Sequence, residues 1–104
     1  RALADKNMIY FQYGGSLSLS ANLSNQLIYE FPDKIVVVVF ISGDVANISI
    51  RGKGNVRKLT LEAIEEIPGA TGGGHENATG AKINVSYLPK FKEKIEELIN
   101  KMYK

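Results

Sequence analysis

The chain of 104 residues contains no cysteine, one histidine and three prolines, and its formal net charge is only +2. Without cysteine there are no disulfides and no thiolate metal sites. That fits a reducing compartment, and with no secretory signal at the start the expected location is cytoplasmic. No run approaches the ~18 apolar residues of a membrane span. The longest apolar stretch, Ile35 to Ile41, has the length of a strand. The lone His75 cannot form a metal site by itself, and any Ser-His-Asp triad would have to use it. No serine stands in a G-x-S-x-G elbow, no Gly-Lys-Ser/Thr follows the glycines, and no G-x-G-x-x-G follows a strand. Nothing points to a carboxylate pair, and Glu62, Glu65 and Glu66 read as the solvent face of a helix. Four Asn-x-Ser/Thr triplets, at Asn22, Asn47, Asn77 and Asn84, read as chance without a signal sequence. The start at Arg1 suggests a piece of a longer protein.

What is present fits a single domain large enough for its own core. Met8 to Tyr13 reads as a strand broken by Gly14-Gly15. Ser16 or Ser18 can cap a helix running to about Tyr29, with Leu19, Leu23 and Leu27 on one face and Pro32-Asp33 beyond it. The unbroken Val/Ile/Phe content of Ile35 to Ile41 predicts a central strand buried on both faces. Ser42-Gly43-Asp44 turns it into Val45 to Arg51, a hairpin partner. That strand alternates, with Ala46, Ile48 and Ile50 on one face and Asn47, Ser49 and Arg51 on the other.

After a Gly52-Lys53-Gly54 turn, Asn55 can cap a helix whose apolar face is Val56, Leu59, Ala63, Ile64 and Ile67, stopped by Pro68-Gly69. A glycine-rich loop follows. Ala81 to Tyr87 reads as a strand, and Pro89 opens a last helix with the stripe Phe91, Ile95, Leu98, Ile99 and Met102. The expected fold is a mixed α+β single domain, a central four- to five-stranded mixed sheet covered by about three helices.

Two features suggest chemistry. Arg51, Lys53, Arg57 and Lys58 fall within eight residues that hold no acid, read either as a phosphate site or as a solvated basic turn. Thr71-Gly72-Gly73-Gly74-His75 places three consecutive glycines, which are costly to order. The run reads either as a nest of backbone amides for an anion or as a plain flexible loop. His75 could donate to phosphate, stack on a base, or merely fix local backbone.

The string GGGHENATG at Gly72 to Gly80 resembles the glycine-rich signature of the DHH-associated domain, and NISIRG at Asn47 to Gly52 resembles its upstream Ser-x-Arg strand. One helix separates them, as in that family, and YGGSLSLSANL is similar to the archaeal RecJ-like branch. Many members have four glycines where this chain has Thr71 to Gly74, and two alanines where it has Ala78-Thr79. The related C-terminal domain of alanyl-tRNA synthetases does not typically continue its glycines as Gly-His-x-x-Ala.

The resemblance implies a binding domain of a two-domain phosphoesterase. The catalytic DHH domain, with its Asp-His-His motif and its manganese (or magnesium), would lie outside this sequence. The chain alone would then bind without hydrolysing and carry no cofactor. Arg51 would hold a substrate phosphate, Gly72, Gly73, Gly74 and His75 would line the nucleotide-facing loop, and Ser49 would support them. Asn47, Lys53, Arg57 and Asn77 are possible secondary contacts. Implied partners are single-stranded nucleic acid or a short oligonucleotide, the protein's own DHH domain, and replication proteins. Three roles follow: the substrate grip of a RecJ-like exonuclease, of an oligoribonuclease or cyclic-dinucleotide phosphodiesterase, or a replisome scaffold.

Overall fold

The computed structural model describes residues 2–4, 7–14 and 20–102. The expected capping serines Ser16 and Ser18, and Leu19, lie outside the described residues. The elements run β1 (Ala2–Ala4), β2 (Met8–Gly14), α1 (Ser20–Glu30), β3 (Ile35–Ser42), β4 (Val45–Arg51), α2 (Val56–Ile64), β5 (Thr71–His75), β6 (Ala78–Asn84) and α3 (Leu88–Met102). They form one mixed six-stranded sheet in the order β1-β2-β3-β4-β6-β5. Only β2 and β3 run parallel, joined through α1; every other neighbouring pair is antiparallel. The α+β class is therefore as expected, with the four anticipated strands joined by the glycine segment and a three-residue edge strand.

The helices cover the sheet unequally. Ile35, Val37 and Val39 of β3 point into the larger core, with Ile48 and Ile50 of β4, Ala81 and Ile83 of β6, and the buried faces of α2 and α3. Val36 and Val38 point to the opposite side, where Ile9 joins them and Leu27 and Ile28 of α1 pack against them. This double burial is why β3 carries no polar alternation. Phe91, Ile95 and Ile99 are fully buried, as the stripe predicts, but Met102 at the end of α3 is exposed. Asn55 caps α2 as expected, its side chain accepting from the amide of Lys58 at 3.0 Å.

Two boundaries differ from expectation. The last strand begins and ends three residues early, at Ala78 and Asn84, and Val85–Tyr87 is a 3-10 turn leading into α3. Asn84 starts that turn by accepting from the Ser86 amide at 2.9 Å. The glycine-rich segment is not a loop: Thr71–His75 is an edge strand, paired through Glu76-Asn77 with β6. Its local composition favours a loop, and cross-strand hydrogen bonds override that preference.

Candidate phosphate and nucleotide site

The site follows from register. Across β4, β6 and β5, Arg51 lies opposite Ala78, which lies opposite His75. The next row on the same face is Ser49, Gly80 and Gly73, and the next is Asn47, Lys82 and Thr71. These rows share the side of the sheet on which α1 packs. α1 covers β3 and β4, and among the described residues no helix packs on β5 and β6 from that side. The result is a shelf with a floor of bare backbone at Gly73 and Gly80, walled on one side by α1. From the Arg51 row to the Asn47 row is about 13 Å along the strand, and from β4 to β5 about 10 Å across the sheet. The three strands offer Arg51, Lys82 and His75 to this face, and no acidic side chain.

Each glycine of the run has a separate reason. A side chain at Gly73 would meet nothing within 4 Å, so its absence serves no packing purpose and leaves the shelf flat. Gly72 faces the other way, where a Cβ would lie 2.8 Å from Ile64 Cδ1 of α2. Gly74 has φ +141° and its hypothetical Cβ would stand 2.7 Å from the Ala78 carbonyl. An extended edge strand is not the alternating backbone of an anion nest. Of the glycines expected to line the site, Gly73 alone presents its open side to the shelf, and Gly72 and Gly74 permit close packing of the hairpin.

Arg51 is held firmly. Its Nε donates to Asn25 Oδ1 of α1 at 3.0 Å, and its Nη1 donates to the carbonyls of Ile50 at 3.0 Å and Thr79 at 3.1 Å. All three acceptors are neutral, so the positive charge is anchored without being cancelled. Burial pulls its pKa down from the usual arginine value, yet guanidinium stays charged. The bonds occupy Nε and Nη1 and leave Nη2 to face a ligand. A fork grip through Nε and Nη2, the arrangement best suited to phosphate, requires Asn25 to release Nε.

The other expected residues divide. Ser49 is buried in the floor beside Arg51, and Asn47 is half-buried, its amide donating to the Phe40 carbonyl at 3.4 Å. His75 is exposed at the sheet edge. Asn77 is structural: its amide donates to the Gly54 carbonyl at 2.7 Å, and its own carbonyl accepts from Gly52 at 3.2 Å. Lys53 makes a solvent-exposed ion pair with Asp33 at 3.7 Å. Arg57 stands exposed on the first turn of α2. The N-terminus of that helix offers no anion site, because the Glu76 carbonyl accepts from the amides of Val56 and Arg57.

Three shelf residues escaped sequence reasoning. Lys82 and Gly80 could have been found only by pairing the last strand with Val45–Arg51 in the correct register. Asn25 carries no local signal, because its role exists only where α1 crosses the end of β4. A further departure of this chain, Thr79, is also explained. Its hydroxyl lies 2.6 Å from that of Thr60, both buried, and Thr60 donates its only hydroxyl proton to the Val56 carbonyl at 2.7 Å. Thr79 must therefore donate to Thr60.

The chain matches the DHHA1 domain family over residues 5–101. It belongs to the DHHA1 family. An uncharacterized protein of Methanocaldococcus jannaschii is 31% identical over 98 residues, covering 89% of this chain. This chain spans only 22% of that relative's length. Among solved structures, the C-Ala domain of Aquifex aeolicus alanyl-tRNA synthetase superposes with TM-score 0.74 at 15% identity, covering 95% of this chain and 97% of that domain. The pGpG-specific phosphodiesterase PggH of Vibrio cholerae gives TM-score 0.63 at 12% identity, over 93% of this chain and 34% of that one. At such identities the two likenesses concern the fold alone.

Proposed function

We propose that this DHHA1 domain is the substrate grip of a RecJ-like DHH-family exonuclease. It would hold single-stranded nucleic acid by its phosphates for a manganese-dependent DHH domain outside this chain. The observation that carries the reading is the shelf itself: an anchored arginine with only neutral partners, a second cation at Lys82, His75 at the rim, no acid, and a floor that two glycines keep at backbone height. Phosphate would meet Nη2 of Arg51 and the ribose or base would lie over Gly80 and Gly73. The role assigned to this chain is binding, with the chemistry left to the DHH domain. Cytoplasmic location fits such a role, and no described helix is long and apolar enough to cross a membrane.

A second reading is favoured by the small extent of the shelf. At about 13 by 10 Å it suits a few nucleotides better than a long strand, and PggH, of similar fold, is a phosphodiesterase for pGpG.

One titration tests both. Isotope-labelled protein is followed by amide shifts as 5′-phosphorylated oligonucleotides of increasing length are added at low and moderate salt. Shifts at Ser49, Gly73, Gly80 and His75 are expected, with dissociation constants roughly 10⁻⁴–10⁻⁶ M and weakening with salt. Arg51→Ala should abolish them. Affinity that stops rising beyond a dinucleotide selects the short-substrate reading. No shifts at millimolar oligonucleotide and low salt would refute phosphate binding on the shelf.

A further inference from the structure

Arg51 stands at the junction of two spaces. On one side lies the glycine-floored shelf. On the other, past the end of β4, is a separate cavity of about 430 Å³ lined by Ile28, Pro32, Arg51, Gly52, Lys53, Gly54 and Asn77. Three chain segments build it: the end of α1, the turn between β4 and α2, and the turn of the β5–β6 hairpin. Hydrogen bonds lock those turns together. Gly52 donates to the Asn77 carbonyl, the Asn77 amide donates to the Gly54 carbonyl, and Val56 donates to the Glu76 carbonyl at 2.8 Å. The cavity is therefore preformed, and its size lies within the roughly 300–1,000 Å³ of small-ligand pockets.

Its chemistry is that of a flat heterocycle's pocket. The side chains of Ile28 and Pro32 give it a mostly apolar wall. At its rim Lys53 pairs with Asp33 and the Asn77 amide is held by the Gly54 carbonyl, so the apolar wall does the selecting. A peptide side chain would satisfy the apolar wall but gives no reason for a guanidinium at the mouth.

We propose that this cavity is a nucleobase subsite, taking the base of the nucleotide whose phosphate rests on Arg51. It rests on the phosphate reading of Arg51 and extends it: one nucleotide straddles Arg51, base in the cavity and phosphate on Nη2, and its neighbour continues onto the shelf.

The test compares 5′-AMP with ribose 5-phosphate, which lacks the base, by amide shifts on the whole chain. AMP should bind more tightly by about fivefold or more, the gain from burying roughly 40 Å² of apolar surface. It should shift Gly52, Gly54 and Asn77 as well as Ser49 and Gly80, and ribose 5-phosphate only the latter pair. Ile28→Ala should bring AMP down to the affinity of ribose 5-phosphate and leave the sugar phosphate unchanged. Pro32→Ser, at an exposed position that cannot unfold the core, should do the same more weakly. Equal affinity of the two ligands, with shifts at Ser49 and Gly80 alone, overturns the base subsite and leaves the phosphate site standing. No binding of either ligand at millimolar concentration overturns both.

Discussion

Three adjacent glycines should respond to alanine in three different ways. Gly74→Ala places a methyl group 2.7 Å from the Ala78 carbonyl and 2.9 Å from Thr79 Cα, both backbone, at φ +141°. Neither neighbour can yield without opening the hairpin, and the backbone region itself costs a side chain about 1–3 kcal/mol. The expected loss is about 2–4 kcal/mol, or a melting temperature lower by roughly 10 °C or more. Gly72→Ala meets Ile64 Cδ1 at 2.8 Å, the far end of a flexible side chain, and Gly80 O at 3.1 Å. Overpacking of this kind costs about 1–3 kcal/mol, and Ile64 can rotate to absorb part of it. Gly73→Ala meets nothing within 4 Å. Its main effect is to stiffen the unfolded chain, a gain of about 0.4–1 kcal/mol.

The binding order is different. Only Gly73→Ala puts a methyl group on the shelf, so the most stable of the three variants should bind oligonucleotide most weakly relative to its folded fraction. Denaturant melts give the stability order, and amide-shift titration of the folded protein gives affinity. If Gly73→Ala melts as early as Gly74→Ala, the strand geometry is wrong. If it stays folded and binds as the parent does, the shelf is not the binding surface.

Other substitutions probe the anchors and the core. Thr60→Val leaves the buried Thr79 hydroxyl without its acceptor and should cost about 1–3 kcal/mol in a urea melt. Thr79→Val should cost less, because Thr60 keeps its bond to Val56; equal losses would contradict the assigned proton direction. Arg51→Lys keeps a charge but loses the planar guanidinium that bridges Asn25, Ile50 and Thr79, so phosphate affinity should fall nearly as far as in Arg51→Ala. Tyr10 donates to Gln12 at 2.9 Å and burial pushes its pKa up to about 12 from 10.0. Its folded pKa exceeds its unfolded one, so its contribution is complete below pH 10 and is lost as pH rises toward about 12. Ultraviolet titration should show one tyrosine ionising late, and Tyr10→Phe should flatten the alkaline fall in stability. Phe91→Ala, at a fully buried side chain, should cost about 3–5 kcal/mol.

The sequence by itself determined the elements whose signal is local. β3 shows as an unbroken apolar run because both its faces are covered, and α2 shows its apolar stripe and its Asn55 cap because both follow helical spacing. The two-faced β4, which places Ser49 and Arg51 together, needs only the alternation of a strand. The glycine-histidine string and the Ser-x-Arg strand carried the family resemblance for the same reason, since each is a contiguous pattern. Tertiary structure decided the rest. Whether Thr71–His75 is a loop or a strand depends on a partner, β6, that can offer hydrogen bonds at the sheet edge. Which of the three glycines faces a ligand depends on register, since a shift of one residue would exchange Gly73 with its neighbours. Lys82 and Asn25 join Arg51 only because β6 lies against β4 and α1 crosses its end. No sequence spacing encodes those distances; they arise when long-range burial fixes which surfaces meet.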